Sequence, residues 1–272
     1  MVEDSLYLSP QVTMSTTQHF DSAGTDIAYL DTGEHGESGQ LPVLLIHGFA
    51  SNIATNWIAP KWVETLQAAG HRVVALDNRG HGESEKPHDL ARYSSPIMAE
   101  DAYRLLVHRS INRCHVMGYS MGARISAFLA IAHPERVAKV VFGGMGANMV
   151  RGMAGTGPVA AALEAPSLDD VTNPTARTFR IFAEQTKSDL KALAACIRSS
   201  RAPITAEMVA RISNEVLVAV GESDVIAGPA EDLAKLMPHA RAFTIPKRDH
   251  MKAVGDKTFK SEVVAFFGSR GN

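Results

Sequence analysis

Residues 116–122 place a serine where it could act as a nucleophile. They read Val-Met-Gly-Tyr-Ser-Met-Gly, so that Ser120 lies between Gly118 and Gly122 in the pattern Gly-x-Ser-x-Gly. An apolar run precedes the pattern and apolar residues at helical spacing follow it, which predicts a strand-to-helix turn with Ser120 at its tip. The glycines let the backbone turn without a Cβ clash, and the helix beginning at Met121 directs its N–H groups toward negative charge beside the serine. A tight turn with an incidental serine would show the same pattern.

Two further residues could complete the chemistry of Ser120. Asp224 follows a predicted strand at 216–220, and His250 lies a few residues beyond the last predicted strand at 241–245. A serine hydroxyl is a weak nucleophile and needs a base, while an imidazole base needs a carboxylate that fixes its tautomer. Catalytic groups of a parallel sheet gather beyond the carboxyl ends of its strands. The order nucleophile, acid, base therefore predicts one site built from three loops.

Strands and helices alternate along most of the chain. A hairpin is predicted around Ala23-Gly24, and Pro60 and Gly70 mark the start and end of a helix. The other predicted helices include 95–108, 229–237 and a last one with Phe259, Val263, Phe266 and Phe267, and the predicted strands are 19–22, 25–30, 41–46, 72–76, 138–142, 216–220 and 241–245. This alternation predicts an α/β fold with a parallel sheet covered on both faces.

The alternation stops between residues 144 and 211, where helical patterns occur without a convincing strand. Asn173-Pro174 predicts a helix start with Phe179 and Phe182 on one face, and Ser188 predicts the cap of a further helix. We interpret this stretch as a helical insertion over one end of the sheet, with ordinary connecting helices as the alternative. The predicted units are an N-terminal arm, residues 1–18; an α/β core, residues 19–143 and 212–272; and a helical cap insertion, residues 144–211.

The composition is that of an ordinary soluble globular protein. The 272 residues carry a formal net charge of -2, and 45% of them are hydrophobic. This balance predicts no nucleic-acid and no membrane partner. The acidic residues 1–5 precede no secretory apolar segment and no run reaches transmembrane length, so we expect a cytoplasmic protein. Cys114 and Cys196 are expected to be small buried hydrophobes rather than a disulfide or a catalytic thiol.

No motif for a cofactor or a metal is found. The glycine-rich segments 143–146 and 152–157 lack the Gly-x-Gly-x-x-Gly spacing between a strand and a helix that dinucleotide binding needs. Neither a Walker loop nor a His-Glu-x-x-His cluster occurs. We therefore expect no cofactor and no metal. The nearby Met145, Met149 and Met153 could line an adaptable apolar pocket, and packing in the core is the alternative.

Four motifs together resemble the α/β-hydrolase fold superfamily. They are His47-Gly48-Phe49 after the third strand, residues 77–84 after the fourth, residues 118–122 after the fifth, and Gly221-Glu222-Ser223-Asp224 with His250 beyond. They match in order and approximate spacing, and the resemblance covers residues 18–268. It implies the α/β-hydrolase fold, with a mostly parallel central sheet, helices on both faces and a helical cap that shapes the pocket.

The resemblance also implies roles for individual residues. Ser120 would be the nucleophile, His250 the general base and Asp224 the orienting acid. The backbone N–H groups of Phe49 and Met121 would form the oxyanion hole. The motif positions with a structural role would be His47, Gly48, Gly118 and Gly122.

Other residues compete for these roles. Glu222 and Asp77 are alternative acids, but Glu222 comes early in its loop and Asp77 follows a different strand and is expected to tie down its own turn. The family usually has glycine immediately before the catalytic histidine, whereas this chain has Asp249, which would add a charge there.

The strand-to-helix turn of residues 118–122 is called the elbow below. A serine at its tip, Ser120, predicts acyl transfer to water. Relatives that open epoxides or remove halide use a carboxylate there, because their intermediate must be an alkyl ester. We expect a cofactor-independent serine hydrolase for a small, fairly apolar ester or related acyl substrate. A thioesterase, a C–C bond hydrolase of the diketone-cleaving type and a cofactor-free peroxidase-like enzyme would share the same triad. A ligand receptor on the same fold is the non-catalytic alternative.

Overall fold

The protein is built around one sheet of eight strands. The computed structural model describes residues 17–33, 39–152, 156–199 and 202–269. The strands are β1 Gln18–Asp21, β2 Asp26–Asp31, β3 Val43–Ile46, β4 Val73–Leu76, β5 Cys114–Tyr119, β6 Val137–Gly143, β7 Glu215–Gly221 and β8 Ala240–Ile245. Their spatial order is β1-β2-β4-β3-β5-β6-β7-β8. The pairs β1–β2 and β2–β4 are antiparallel and the other pairs are parallel, which confirms the predicted hairpin and the mostly parallel sheet.

Helices cover both faces of the sheet. They are α1 Trp62–Ala68, α2 Ser95–His108, α3 Met121–Ala132, α4 Asn148–Arg151, α5 Thr156–Glu164, α6 Pro174–Gln185, α7 Leu190–Ser199, α8 Ala206–Ala210, α9 Ala230–Ala234 and α10 Lys257–Gly268. Apolar side chains of α1 and α10 pack together on one face, and those of α2, α3 and α9 pack on the other. The four predicted apolar residues of the last helix are all buried.

The central strands are apolar on both faces because helices bury both of them. Every residue of β3 and β4 is buried, as the continuous apolar runs predict. The two cysteines are also buried, and burial raises the pKa of the Cys114 thiol to about 12. A thiol with that pKa is not a nucleophile at neutral pH.

Three predicted helix boundaries were wrong. The first helix begins at Trp62 and not at Pro60, because Ala54–Ile58 forms a π-helical turn and Lys61 has a φ of 63° that interrupts the helical path. The cap of α7 is Asp189 and not Ser188, since its Oδ1 accepts the N–H groups of residues 191 and 192 at 3.0 Å each. Helix α9 covers Ala230–Ala234 and is therefore shorter than the predicted helix at 229–237. In contrast, the predicted Asn173 cap is confirmed, because the side chain of Asn173 accepts a hydrogen bond from the N–H of Ala176.

The described residues between β6 and β7 form helices α4 to α8 and contain no strand. Arg180 of α6 is buried and donates to the carbonyls of Ala162 and Ala165, which joins α6 to the end of α5. Arg124 of α3 donates to the carbonyls of Met149 and Ala202, which joins this segment to the sheet layer. The bounds 144–211 of a separate cap stay a prediction, and residues 1–16 of the predicted arm lie outside the described residues.

No helix in the described ranges combines the length and the hydropathy needed to cross a bilayer.

Candidate active site

Ser120 lies at the turn between β5 and α3 in a backbone conformation that residues with a side chain rarely adopt. Its φ is 54° and its ψ is -113°. The N–H of Ser120 donates to the carbonyl of Gly143 in the adjacent strand, at 2.8 Å, which helps to hold this conformation. The hydroxyl makes no capping bond to α3. It is therefore available to a different partner.

The flanking glycines prevent clashes with neighbouring backbone. A Cβ at Gly118 would lie 2.2 Å from the carbonyl oxygen of Gly122, and one at Gly122 would lie 1.9 Å from that of Ile46. The φ of neither glycine is positive, so the left-handed conformation belongs to Ser120 itself. The glycines thus let the start of α3 approach β3 and β5 closely.

The structure brings Ser120, His250 and Asp224 together in one hydrogen-bonded chain. His250 Nε2 lies 3.0 Å from Ser120 Oγ, and His250 Nδ1 lies 2.7 Å from Asp224 Oδ2. The other oxygen of Asp224 accepts the N–H groups of Ile226 and Ala227, at 2.8 and 3.0 Å. A carboxylate in this position accepts the Nδ1 proton of the imidazole, so that Nε2 is left to accept the serine proton.

Tyr119 holds the backbone of His250, and sequence reasoning missed it. Its hydroxyl donates to the carbonyl of His250 at 2.6 Å. Burial, reinforced by the charges of Asp224 and Asp249, raises the pKa of Tyr119 well above its usual value, so the phenol keeps its proton. Its position between Gly118 and Ser120 is one that the elbow motif leaves open to any residue type.

The backbone N–H groups of Phe49 and Met121 have no acceptor among the described residues. Phe49 lines the cavity in front of Ser120. Met121 follows Ser120 as the first residue of α3, and its side chain packs in the core. Both N–H groups are therefore free to donate to an atom that is not part of the described residues.

Gly48 and His47 fix the loop that carries Phe49. A Cβ at Gly48 would lie 3.2 Å from the carbonyl oxygen of Tyr119, so the loop lies close to the elbow. His47 Nδ1 donates to the carbonyl of Gly48 at 2.7 Å, and its Nε2 accepts the N–H of Asn78 at 2.9 Å. Burial lowers the pKa of His47 to about 4, so the ring is neutral and both nitrogens serve the loop.

The competing acids are engaged elsewhere. Asp77 accepts the N–H groups of Ile53 and Glu83 at 2.7 and 2.8 Å, and burial raises the pKa of its carboxyl. Glu222 accepts the N–H of Lys247 at 2.7 Å. These bonds hold loops, and Asp224 is the carboxylate at the imidazole of His250.

Asp249, which stands where the family usually has glycine, stabilises the turn after His250. Its Oδ1 accepts the N–H groups of Met251 and Lys252, at 3.1 and 2.9 Å. The bond from the backbone of Lys252 holds the pKa of Asp249 below its usual value. Asp249, in the place of the usual glycine, therefore caps the turn that follows His250.

A cavity of about 120 Å³ opens in front of Ser120. One part of its wall is aromatic and comes from Phe49 and from Phe179 and Phe182 of α6, the two residues predicted to share a face. Another part is polar and comes from Ser51, Thr55 and Asn56, which sequence reasoning missed. No arginine or lysine is found among the described lining residues.

The methionines near the cavity pack in the core instead. Met145 and Met149 are 3% and 1% exposed and belong to the core beside α3, whereas Met153 lies outside the described residues. Within the part of the chain that the structure describes, no group of three or more His, Cys, Asp or Glu residues is placed to hold a metal.

Comparisons with known proteins agree with this architecture. The family model for the alpha/beta hydrolase fold matches residues 42–170. The acetyltransferase component of an acetoin cleaving system from Pseudomonas putida is 38% identical over 107 residues, which is 39% of this chain and 27% of that protein. A 2-hydroxymuconate semialdehyde hydrolase from Pseudomonas sp. (strain CF600) is 33% identical over 133 residues, 48% of this chain and 46% of that protein. The matches thus span less than half the length of these relatives.

Solved structures match over nearly the whole chain. The enol-lactonase from Burkholderia xenovorans LB400 superposes with a TM-score of 0.74 at 21% identity, covering 93% of this chain and all of that one. A hydrolase from Pseudomonas aeruginosa PA01 superposes with a TM-score of 0.71 at 23% identity, covering 93% and 98%. At these identities the likeness shows the fold. The chain has the α/β-hydrolase fold, and its residues 42–170 match the family model of that fold.

Proposed function

We propose that the protein is a serine hydrolase that cleaves a small, uncharged, fairly apolar ester or related acyl substrate. The observation that carries the proposal is the hydrogen-bonded chain from Ser120 Oγ through His250 to Asp224, at 3.0 and 2.7 Å, beside a cavity. Nucleophile, base and orienting acid thus lie at the distances that acyl transfer needs.

The first half of the reaction forms an acyl-serine. Ser120 Oγ attacks the substrate carbonyl carbon while His250 Nε2 takes the serine proton. The carbonyl oxygen becomes an oxyanion that receives the N–H groups of Phe49 and Met121. His250 then gives its proton to the leaving alcohol oxygen as the carbon–oxygen bond breaks. Asp224 stabilises the imidazolium in between.

The second half repeats these steps with water. His250 takes a proton from a water molecule whose oxygen attacks the acyl carbon, and the same two N–H groups hold the second oxyanion. When this intermediate collapses, the proton returns to Ser120 Oγ and a carboxylic acid is released. Tyr119 keeps His250 in place throughout, because its hydroxyl holds the His250 carbonyl.

The cavity supports a small and uncharged acyl group. Phe179 and Phe182 close it from α6, so we assign to the helical segment the role of a cap that shapes the acyl pocket. A substrate carboxylate would lose its hydration without gaining a cation from the described lining residues, which is unfavourable. The thioesterase, C–C hydrolase and peroxidase-like alternatives use the same triad, and substrate profiling separates them from an ester hydrolase.

The test is labelling with a fluorophosphonate probe together with hydrolysis of p-nitrophenyl esters of increasing acyl length. We expect labelling and turnover in the wild type, a maximum at a short acyl chain, and neither signal in Ser120→Ala. Ser223→Ala is the matched control, since Ser223 is exposed in the loop of Asp224, and it should label like the wild type. A folded protein with no labelling and no turnover would favour the ligand-receptor alternative.

A further inference from the structure

Asn56 lines the active-site cavity, and its side-chain amide holds a buried donor with no partner among the described residues. Asn56 belongs to the π-helical turn Ala54–Ile58 and is 5% exposed. Its Oδ1 accepts the N–H of Gly48 at 3.0 Å. Only the carbonyl oxygen of the amide can accept this bond, so the orientation of the side chain is fixed. Nδ2 then has no hydrogen-bond partner among the described residues.

A buried donor without an acceptor is unfavourable and calls for an explanation. The Gly48 bond already accounts for the structural use of Asn56, because an acceptor alone would fix the loop. Ser51 and Thr55 also line the cavity. Three polar side chains thus line a cavity that Phe49, Phe179 and Phe182 also line.

We propose that Asn56 is a specificity-determining residue whose Nδ2 donates a hydrogen bond to an uncharged oxygen in the acyl part of the substrate. The substrate class is then an acyl compound with a second oxygen, such as an ether, a hydroxyl or a ketone, beside the carbonyl that Ser120 attacks. Ser51 and Thr55 extend the polar wall that receives this oxygen. The inference rests on the proposed function and narrows its substrate.

The experiment compares matched esters that differ by one oxygen. The p-nitrophenyl esters of methoxyacetate and butanoate have the same chain length, as do those of 3-methoxypropanoate and pentanoate. Their binding is measured by ligand-observed NMR titration in the Ser120→Ala background, where no ester is consumed. The measured quantity is the ratio of affinities within each pair, oxygen-bearing ester over alkyl ester.

Asn56→Asp keeps an acceptor for Gly48 and replaces the Nδ2 donor by an acceptor. We expect it to lower the ratio about tenfold for at least one pair, which corresponds to about 1.4 kcal/mol. Asn56→Leu, which has a similar volume, should lower the ratio in the same direction. Asn52→Asp is the matched control, because Asn52 lies in the same segment and its Oδ1 accepts the N–H of Thr55. We expect it to leave the ratio unchanged.

A merely structural role of Asn56 would give a different result. If Asn56 only held the Gly48 loop, its replacement would weaken both esters of a pair equally, and an unchanged ratio would overturn the proposal. The same holds if Nδ2 donated to the carbonyl oxygen of the ester group, which both members of a pair carry. The binding measurement is independent of turnover. Loss of hydrolysis and labelling in the wild type, with the affinity ratio retained, would refute the hydrolase function and leave the Asn56 assignment standing.

Discussion

Acidification should destabilise the folded protein, because His81 is built to stay neutral. His81 is fully buried, and its Nδ1 donates to the carbonyl of Arg79 at 3.0 Å. Its Nε2 has no partner among the described residues. Burial, together with the neighbouring His47, lowers the pKa of His81 to about 3, and the charge of Asp77 opposes this shift only in part. A proton on Nε2 would place a positive charge where no acceptor receives it.

The size of this loss of stability follows from how many protons the folded and the unfolded chain bind at a given pH. The ordinary histidine pKa is 6.5, so below that pH the unfolded chain binds a proton that the folded chain does not. The contribution of His81 to stability is therefore complete above pH 6.5 and is lost as the pH falls toward about 3. Each pH unit costs about 1.4 kcal/mol, so acidification from pH 7 to pH 5 removes about 2 kcal/mol of the free energy of unfolding.

Urea unfolding at a series of pH values measures this effect. His81→Asn can keep a donor for the Arg79 carbonyl and does not titrate, so its free energy of unfolding should fall by about 2 kcal/mol less than that of the wild type between pH 7 and pH 5. Asp77, whose raised pKa acts in the opposite direction, titrates in both proteins, so the comparison isolates His81 together with its charge interaction with Asp77. His239→Asn is the control, because His239 is exposed. An equal pH dependence in His81→Asn and the wild type would refute the buried, neutral state of His81.

Four substitutions test the elbow and its supports. Gly122→Ala should lower the free energy of unfolding by about 3 kcal/mol in urea, since its Cβ would lie 1.9 Å from the Ile46 carbonyl oxygen; unchanged stability would contradict the close approach. Tyr119→Phe removes the 2.6 Å bond to the His250 carbonyl and should lower kcat for p-nitrophenyl acetate about tenfold, with KM nearly constant; an effect confined to KM would contradict a positioning role. Ser120→Ala and His250→Ala should each lower kcat nearly as much as the double variant, because the two residues act as a unit; multiplicative losses would argue against the triad.

The sheet and the meeting of three loops could be predicted because strong physical constraints impose them. Burial on both faces requires continuous apolar runs, and β3 and β4 are buried at every position. Parallel strands bring their carboxyl ends to one edge, so Ser120, Asp224 and His250 could be expected to meet before any contact was known. The structure then brings them to within hydrogen-bonding distance of one another.

Local starts and caps were predicted less well, because neighbouring residues offer nearly equivalent solutions. Ser188 and Asp189 are both suitable caps, and only the contacts decide between them. The Ser188 hydroxyl bonds to that of Thr186, and Asp189 caps α7. Likewise, Pro60 suits a helix start. The left-handed conformation of Lys61, which delays the helix to Trp62, cannot be recognised from the spacing of apolar residues.

The residues that sequence reasoning missed are those whose use depends on a contact with a distant or non-periodic neighbour. Asn56 lies in a π-helical turn, whose spacing matches neither a strand nor an α-helix, and its partner Gly48 stands in another loop. Tyr119 acts on a carbonyl 131 positions away along the chain. Its ring also explains Gly143, which the sequence indicates only as part of a glycine-rich segment: a Cβ there would lie 2.8 Å from the ring of Tyr119. The elbow motif therefore specifies where the nucleophile sits, whereas Tyr119 comes from a position at which the motif accepts any residue and Asn56 lies outside the motif.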